Sequence, residues 1–182
     1  MIINVAPLLK QFVGSQAAFA LSEDPIDPRG DNAGLLGAGF HSVDARVTAT
    51  HTTPGAYLEG DATASLEQEC SRCLKTVPMM VAAEFEEQYF ATVGVAVGEV
   101  RDAAPLDAKT IGSDFLIDLV PLLAEELLLA LPLAPLGQVE CKGLCLECGE
   151  DLNERPHSHD VIVDDRWAQL QQLRDFHAQR EE

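Results

Sequence analysis

Apolar and polar residues alternate with a period of two in three runs in the middle of the chain. The runs cover residues 43–50, 58–66 and 77–85, and the first two are separated by Pro54-Gly55. Alternation of this kind is typical of strands with one buried and one solvent-facing side. The small and β-branched residues of these runs suit a curved sheet or an incomplete barrel. The sequence therefore predicts an antiparallel β-sheet here.

The pattern changes to a helical one between residues 117 and 131, where leucine dominates. Asp114 or Asp118 can cap this helix, and Pro121 suits its first turn. A helix with so few polar positions must be buried over most of its surface, and we expect it to pack against the sheet. Pro132 and Pro135 then end it.

Two further segments complete the outline of the chain. Residues 23–39 contain repeated proline and glycine and are expected to form a loop, as are residues 91–110. Residues 164–176 place Trp167 and Phe176 at helical intervals, which predicts a terminal amphipathic helix. The expected fold is α+β: a curved antiparallel sheet (a partial barrel) packed on a Leu-rich helix, then a zinc-knuckle segment and a short helix. We expect a core domain at 1–136 and a Cys/His tail at 137–182 packed on it.

All five cysteines lie in two short stretches. Cys70 and Cys73 form one Cys-x-x-Cys pair, between the second and third predicted strands. Cys145 and Cys148 form the other pair, after the helix, and Cys141 lies just before it. This spacing lets two thiolates in one tight turn bind a single tetrahedral ion, and Gly149 permits the tight turn.

Several ligand sets satisfy a tetrahedral ion. The preferred set takes one pair from each stretch: Cys70, Cys73, Cys145 and Cys148. A local alternative combines Cys145 and Cys148 with His157 and His159, which leaves Cys141 and the first pair as free thiols or as part of a second site. A mixed set using Cys141 is also open. Thiolate and imidazole ligands favour Zn²⁺, and a closed shell of four protein ligands indicates a structural rather than a catalytic ion.

The net charge of −18 comes from 30 Asp and Glu against 12 Lys and Arg. Nucleic-acid binding through phosphates requires clustered cations, so at most a small patch formed by Arg72, Lys75 and Lys142 is available for RNA. An acidic chain is better suited to a basic partner protein. No signal-type start or uninterrupted apolar span is present, so we expect a cytoplasmic protein that does not cross a membrane.

An ordered set of motifs resembles the YceD family, described as large ribosomal RNA subunit accumulation proteins. The motifs are Glu69-Cys-Ser-Arg-Cys73, the Leu-rich segment 117–132, Cys141-Lys-Gly-Leu-Cys-Leu-Glu-Cys-Gly149, Asp151-Leu-Asn153 and Asp165-Arg-Trp-Ala168. Many members carry Cys-x-Cys where this chain has His157-Ser-His159. The resemblance implies a factor for accumulation or processing of large-subunit (23S) ribosomal RNA.

Two functions follow from the resemblance and the charge. The preferred one is a non-catalytic ribosome biogenesis factor that binds a basic ribosomal protein or a precursor of the large subunit. The alternative is a metal-dependent RNA-binding or RNA-cleaving enzyme that uses carboxylate-held divalent ions. Neither a Ser-His-Asp order nor a phosphate loop is recognisable in the sequence, so no catalytic residue is assigned.

Overall fold

A computed structural model describes residues 1–24, 26–27, 29–93, 105–159 and 166. Its elements are β1 (Ile2–Asn4), α1 (Ala6–Leu9), β2 (Gln16–Glu23), α2 (Ala33–Gly37), β3 (Phe40–Thr52), β4 (Gly55–Glu69), β5 (Thr76–Ala91), β6 (Thr110–Ile111), β7 (Leu116–Asp118) and α3 (Val120–Leu129). The predicted α+β class is confirmed.

The main sheet has the strand order β2-β3-β4-β5-β6. Strands β2 to β5 pair antiparallel, and the two-residue strand β6 joins β5 in parallel. Within the described ranges the edge strands β2 and β6 do not pair with each other, so the sheet is open and is not closed into a barrel. Strands β1 and β7 form a separate antiparallel pair.

One face of strands β3 to β5 is buried, as the alternation predicts. Small residues occupy much of this face, and larger ones fill the remaining space. The buried positions include Val43, Ala45, Val47, Ala49, Leu58, Ala62, Ala64, Val81, Phe85 and Tyr89. Apart from Gly55 at the start of β4, the opposite positions of β4 and β5 are half-buried or exposed.

Helix α3 begins later than the sequence predicts. Ile117 belongs to β7, where it pairs with Ile3 and is buried, because its β-branched side chain suits a strand. Asp118 still acts at the helix start, since its Oδ1 accepts a hydrogen bond of 3.0 Å from the Val120 amide. Helix α3 contacts α2, β4 and β5 and buries Leu122, Leu123 and Leu127, whereas Leu129 is exposed.

The prediction of a loop over residues 23–39 is wrong in part, because helix α2 lies within it. Leu35 of α2 is fully buried, which ties the helix to the core. A Cβ atom on Gly34 would lie 2.9 Å from Cγ1 of Val120, so glycine permits the close approach of α2 and α3.

The predicted terminal helix at 164–176, with Trp167, lies outside the described residues apart from Arg166. Most of the predicted loop at 91–110 also lies outside them. Among the helices described, none is both long and apolar enough to cross a membrane.

Gly60, at an inward position of β4, offers a test of the sheet packing. A Cβ atom there would lie 2.1 Å from the Arg46 carbonyl oxygen and 3.0 Å from Cζ of Phe85. We expect Gly60→Ala to lower the free energy of unfolding by about 1–3 kcal/mol, because the main chain of β3 must move. Urea denaturation measures this change.

Gly37→Ala is the matched control, since a Cβ atom at Gly37 meets nothing within 4 Å. It should be neutral or stabilising by up to about 1 kcal/mol. Equal stability of the two variants would contradict the packing described for Gly60.

Candidate metal centres

The first Cys-x-x-Cys pair lies in the connection between β4 and β5, as predicted. Two backbone hydrogen bonds close its turn: the Cys70 amide donates to the Lys75 carbonyl at 2.9 Å, and the Leu74 amide donates to the Cys70 carbonyl at 2.9 Å. Leu74, directly after Cys73, has a φ of 59°. This left-handed conformation costs a residue with a side chain about 1–2 kcal/mol.

The second pair forms a turn with the same backbone hydrogen bonds. The Cys145 amide donates to the Glu150 carbonyl at 2.8 Å, and the Gly149 amide donates to the Cys145 carbonyl at 2.8 Å. Gly149, directly after Cys148, has a φ of 73°, which glycine adopts at little cost. The two turns therefore share one geometry, although only the second has glycine at the left-handed position.

Backbone amides point at the leading sulfur of each turn. Amides of Gly137, Cys73 and Arg72 donate to Cys70 and lower the pKa of its thiol to about 6. Amides of Cys148 and Glu147 likewise lower the pKa of Cys145 to about 6. Hydrogen bonds to sulfur favour the thiolate, which is the form that binds metals.

Cys145, Cys148, His157 and His159 form one candidate centre. Their ligand atoms all lie within 4.8 Å of one another. Cys148 Sγ lies 3.1 Å from His157 Nε2, and the two imidazole rings meet edge to face with centroids 5.0 Å apart. These thiolates and imidazoles can hold a metal ion of the zinc type.

His157 is oriented for this role by the Arg155 carbonyl oxygen. That oxygen lies 2.8 Å from Nδ1, so the Nδ1–H donates to it and Nε2 is left for a metal. The same hydrogen bond, followed by the contact with Cys145, raises the pKa of His157. Because the raised pKa means that Nε2 holds a proton more strongly, a metal ion binding Nε2 would have to displace that proton.

Cys70, Cys73 and Cys141 form a second group, whose sulfurs also lie within 4.8 Å of one another. Cys70 and Cys141 are buried, Cys73 is half-buried, and the Sγ atoms of Cys70 and Cys141 are 3.8 Å apart. This group lies where the β4–β5 connection meets the segment after α3.

The structure therefore distributes the sequence candidates over two groups. The preferred set of Cys70, Cys73, Cys145 and Cys148 is divided between them, whereas the local alternative with His157 and His159 lies together. Which residues bind a metal remains a prediction.

Hydrogen bonds join the two turns directly. The Leu144 amide donates to the Arg72 carbonyl at 3.1 Å, and Arg72 Nη1 donates to the Cys141 carbonyl at 2.7 Å. The Ser71 amide donates to the Pro135 carbonyl at 2.8 Å. The segment after α3 is thereby held against the β4–β5 connection. The predicted boundary at residue 136 remains a prediction.

Lys75 adds an ion-pair link between the turns. Its Nζ lies 2.6 Å from Asp151 Oδ2 and 2.6 Å from Glu154 Oε1. The contact with Asp151 is an ion pair and not a well-aligned hydrogen bond, since only the Glu154 contact has hydrogen-bond geometry. The two carboxylates raise the pKa of Lys75, and Lys75 holds the pKa of Asp151 below its usual range.

Asn153 is a supporting residue that ligand spacing does not reveal. Its Oδ1 accepts hydrogen bonds from the Lys142 amide at 2.8 Å and from Gln138 Nε2 at 2.9 Å. Its Nδ2 donates to Asp151 Oδ1 at 2.7 Å and lies 3.4 Å from Cys141 Sγ. The signal in the sequence is Asp151-Leu-Asn153, because Asp and Asn side chains hydrogen-bond nearby backbone in such turns.

The three cations suggested for an RNA patch are not equivalent. Arg72 and Lys142 line a groove of about 560 Å³ beside Cys145, His157 and His159, and Lys75 is not part of its lining. Lys75 is instead neutralised by its two carboxylates.

Comparison with known proteins identifies relatives of the chain. It is 32% identical over 132 residues to uncharacterized proteins of Mycobacterium tuberculosis and Mycobacterium bovis, covering 72% of this chain and 60% of each relative. An uncharacterized protein of Mycobacterium leprae is 31% identical over 138 residues, covering 71% of this chain and 57% of the relative. The chain thus spans about 60% of the length of these curated relatives. No solved structure matches significantly.

A family match covers the second half of the sheet, from β4 onward, and both candidate centres. Residues 58–174 match the family described as large ribosomal RNA subunit accumulation protein YceD. This range takes in most of β4, all of β5, α3, every cysteine and both candidate histidines. The chain belongs to the YceD family.

Proposed function

We propose that this protein is a non-catalytic ribosome biogenesis factor that acts in the cytoplasm. In this role it supports accumulation of large-subunit (23S) ribosomal RNA by binding a basic ribosomal protein or a large-subunit precursor. The observation that carries the ribosomal assignment is the family match over residues 58–174. The charge arrangement of the sheet supports the choice of a basic protein over naked RNA.

The outward side of strands β3 to β5 carries an acidic face, defined by Asp44, Glu59, Asp61, Glu84 and Glu86. Four of these side chains are exposed, and Asp61 is half-buried. Glu59, Asp61, Glu84 and Glu86 line a surface depression of about 570 Å³.

The strand register places like charges directly opposite each other on this face. Glu59 pairs with Glu86, and Asp61 pairs with Glu84. Such pairs destabilise a sheet. Arg46 offsets part of the repulsion, since its Nη2 lies 2.8 Å from Asp61 Oδ2. A cationic partner would relieve the remainder, and its association would be accelerated by the field of the acidic face.

The four-residue centre supports a structural role for zinc. Two thiolates and two imidazoles complete a tetrahedral shell, whereas catalytic zinc keeps a position open for water or substrate. Bound at Cys145, Cys148, His157 and His159, the ion would hold residues 145–159 in shape beside the β4–β5 connection.

Replacement of Cys148 tests this zinc centre. We expect Cys148→Ser to weaken zinc binding at the centre by at least about tenfold, because a thiolate ligand is lost. The measurement is zinc protection of Cys145 from alkylation, followed by peptide mass spectrometry.

The control for Cys148→Ser is Ser158→Ala, which changes the non-ligand residue between the two histidines and should retain protection. Unchanged protection of Cys145 in Cys148→Ser would contradict the assignment of this centre.

A double variant tests the acidic face. Glu59→Gln/Glu86→Gln should bind basic large-subunit ribosomal proteins about tenfold more weakly, a loss of about 1.4 kcal/mol. Its own stability should rise by about 0.2–1 kcal/mol, because a like-charge pair is removed. Titration calorimetry and urea denaturation measure the two opposite effects.

Wild-type affinity for these basic proteins should fall as the Debye length shortens from about 30 Å at 0.01 M salt to about 8 Å at 0.15 M.

Asp31→Asn/Asp107→Asn is the matched control, because it removes the same charge from exposed positions outside the acidic face. Equal weakening in both double variants would show that only net charge matters. Absence of any complex at low salt would contradict a basic partner, and Mg²⁺-dependent cleavage of precursor ribosomal RNA would contradict a non-catalytic role.

A further inference from the structure

The group formed by Cys70, Cys73 and Cys141 is not used by the zinc centre described above. Cys70 and Cys73 come from the β4–β5 connection, and Cys141 comes from the segment after α3. Residues about seventy positions apart in sequence thus bring three sulfurs to one place.

The distance between two of the sulfurs fits metal ligation. Cys70 Sγ and Cys141 Sγ are 3.8 Å apart. With Zn–S bonds of about 2.3 Å, a tetrahedral site places its sulfurs about 3.8 Å from each other. A disulfide would require about 2.05 Å.

Burial alone does not identify a ligand, since a free cysteine also packs as a small apolar side chain. The backbone of the Cys70–Cys73 turn does distinguish this group. Its two backbone hydrogen bonds match those of the Cys145–Cys148 turn, and Leu74 adopts the left-handed conformation that Gly149 adopts there. A non-glycine residue keeps this unfavourable backbone conformation only where the surrounding structure enforces it, and such residues are concentrated at functional sites.

The surroundings suit an anionic metal–thiolate group. Zn²⁺ with three thiolates has a net charge of −1, and Arg72 is anchored to the Cys141 carbonyl at 2.7 Å. Asn153 Nδ2 lies 3.4 Å from Cys141 Sγ and donates to it. Donors to ligating sulfur orient it and tune its affinity for the metal.

We propose that Cys70, Cys73 and Cys141 form a second zinc site, which joins the β4–β5 connection to the segment after α3. Each thiol that binds the ion releases its proton to solvent. Among the described residues no fourth Cys, His, Asp or Glu joins this group. This site stands independently of the ribosomal role proposed above.

The test is zinc stoichiometry of the full chain by native mass spectrometry. The wild type should bind two ions. Cys141→Ser should bind one and retain zinc protection of Cys145, whereas Cys148→Ser should bind one and lose that protection. Ser71→Ala, an exposed substitution in the same turn, should bind two.

Two outcomes of this stoichiometry measurement would overturn the proposal. One is a wild type that binds a single ion and protects Cys145 with it. The other is a Cys141→Ser variant that still binds two.

A measurement on the unaltered protein tests the proposal even if Cys141→Ser does not fold. X-ray absorption of the zinc-loaded wild type should give five sulfur ligands shared over two ions, since the first centre supplies two and the second supplies three. An average of two sulfur ligands per bound zinc ion, at any stoichiometry, would overturn the proposal.

Discussion

Burial of one face of strands β3 to β5 is the constraint on which the other features depend. Because side chains alternate along a strand, a slip of one residue would turn acidic positions such as Glu59 and Glu86 toward the core. Burial of Val47, Leu58 and Phe85 therefore determines the strand register. That register sets which residues face solvent, and it also determines where β4 ends and the first cysteine turn begins.

The candidate metal centres depend on the sheet through this turn. Cys70 follows the last residue of β4, and Arg72 contacts both Leu144 and Cys141 through hydrogen bonds. Lys75, directly before β5, pairs with Asp151 and Glu154. The second turn is thus positioned against the first by contacts that are mostly backbone or charged. A metal ion at either group would reinforce an arrangement that the protein already favours.

Sequence periodicity predicted the three long strands and the Leu-rich helix, because burial of one face imposes a repeat that can be read directly. It placed the start of α3 too early, since Ile117 and Asp118 fit a helical pattern but pair with β1. It missed α2, because Pro and Gly around Leu35 indicate a loop, whereas the short helix is stabilised by tertiary contacts with α3 and β3. The family resemblance, read from ordered motifs, was confirmed.

The sequence by itself determined which residues are available as metal ligands, and that each Cys-x-x-Cys pair forms a tight turn, because these are local properties of spacing. It also determined the excess of acidic charge. Only the tertiary structure decided that Cys141 joins Cys70 and Cys73, that His157 and His159 join the other pair, and that like charges lie opposite each other on one face. The like-charge pairs and the grouping of Cys141 with Cys70 and Cys73 depend on strand register and on the packing of distant segments, which local sequence does not encode. The grouping of His157 and His159 with Cys145 and Cys148 is local, but the sequence offered it only as one of several ligand sets.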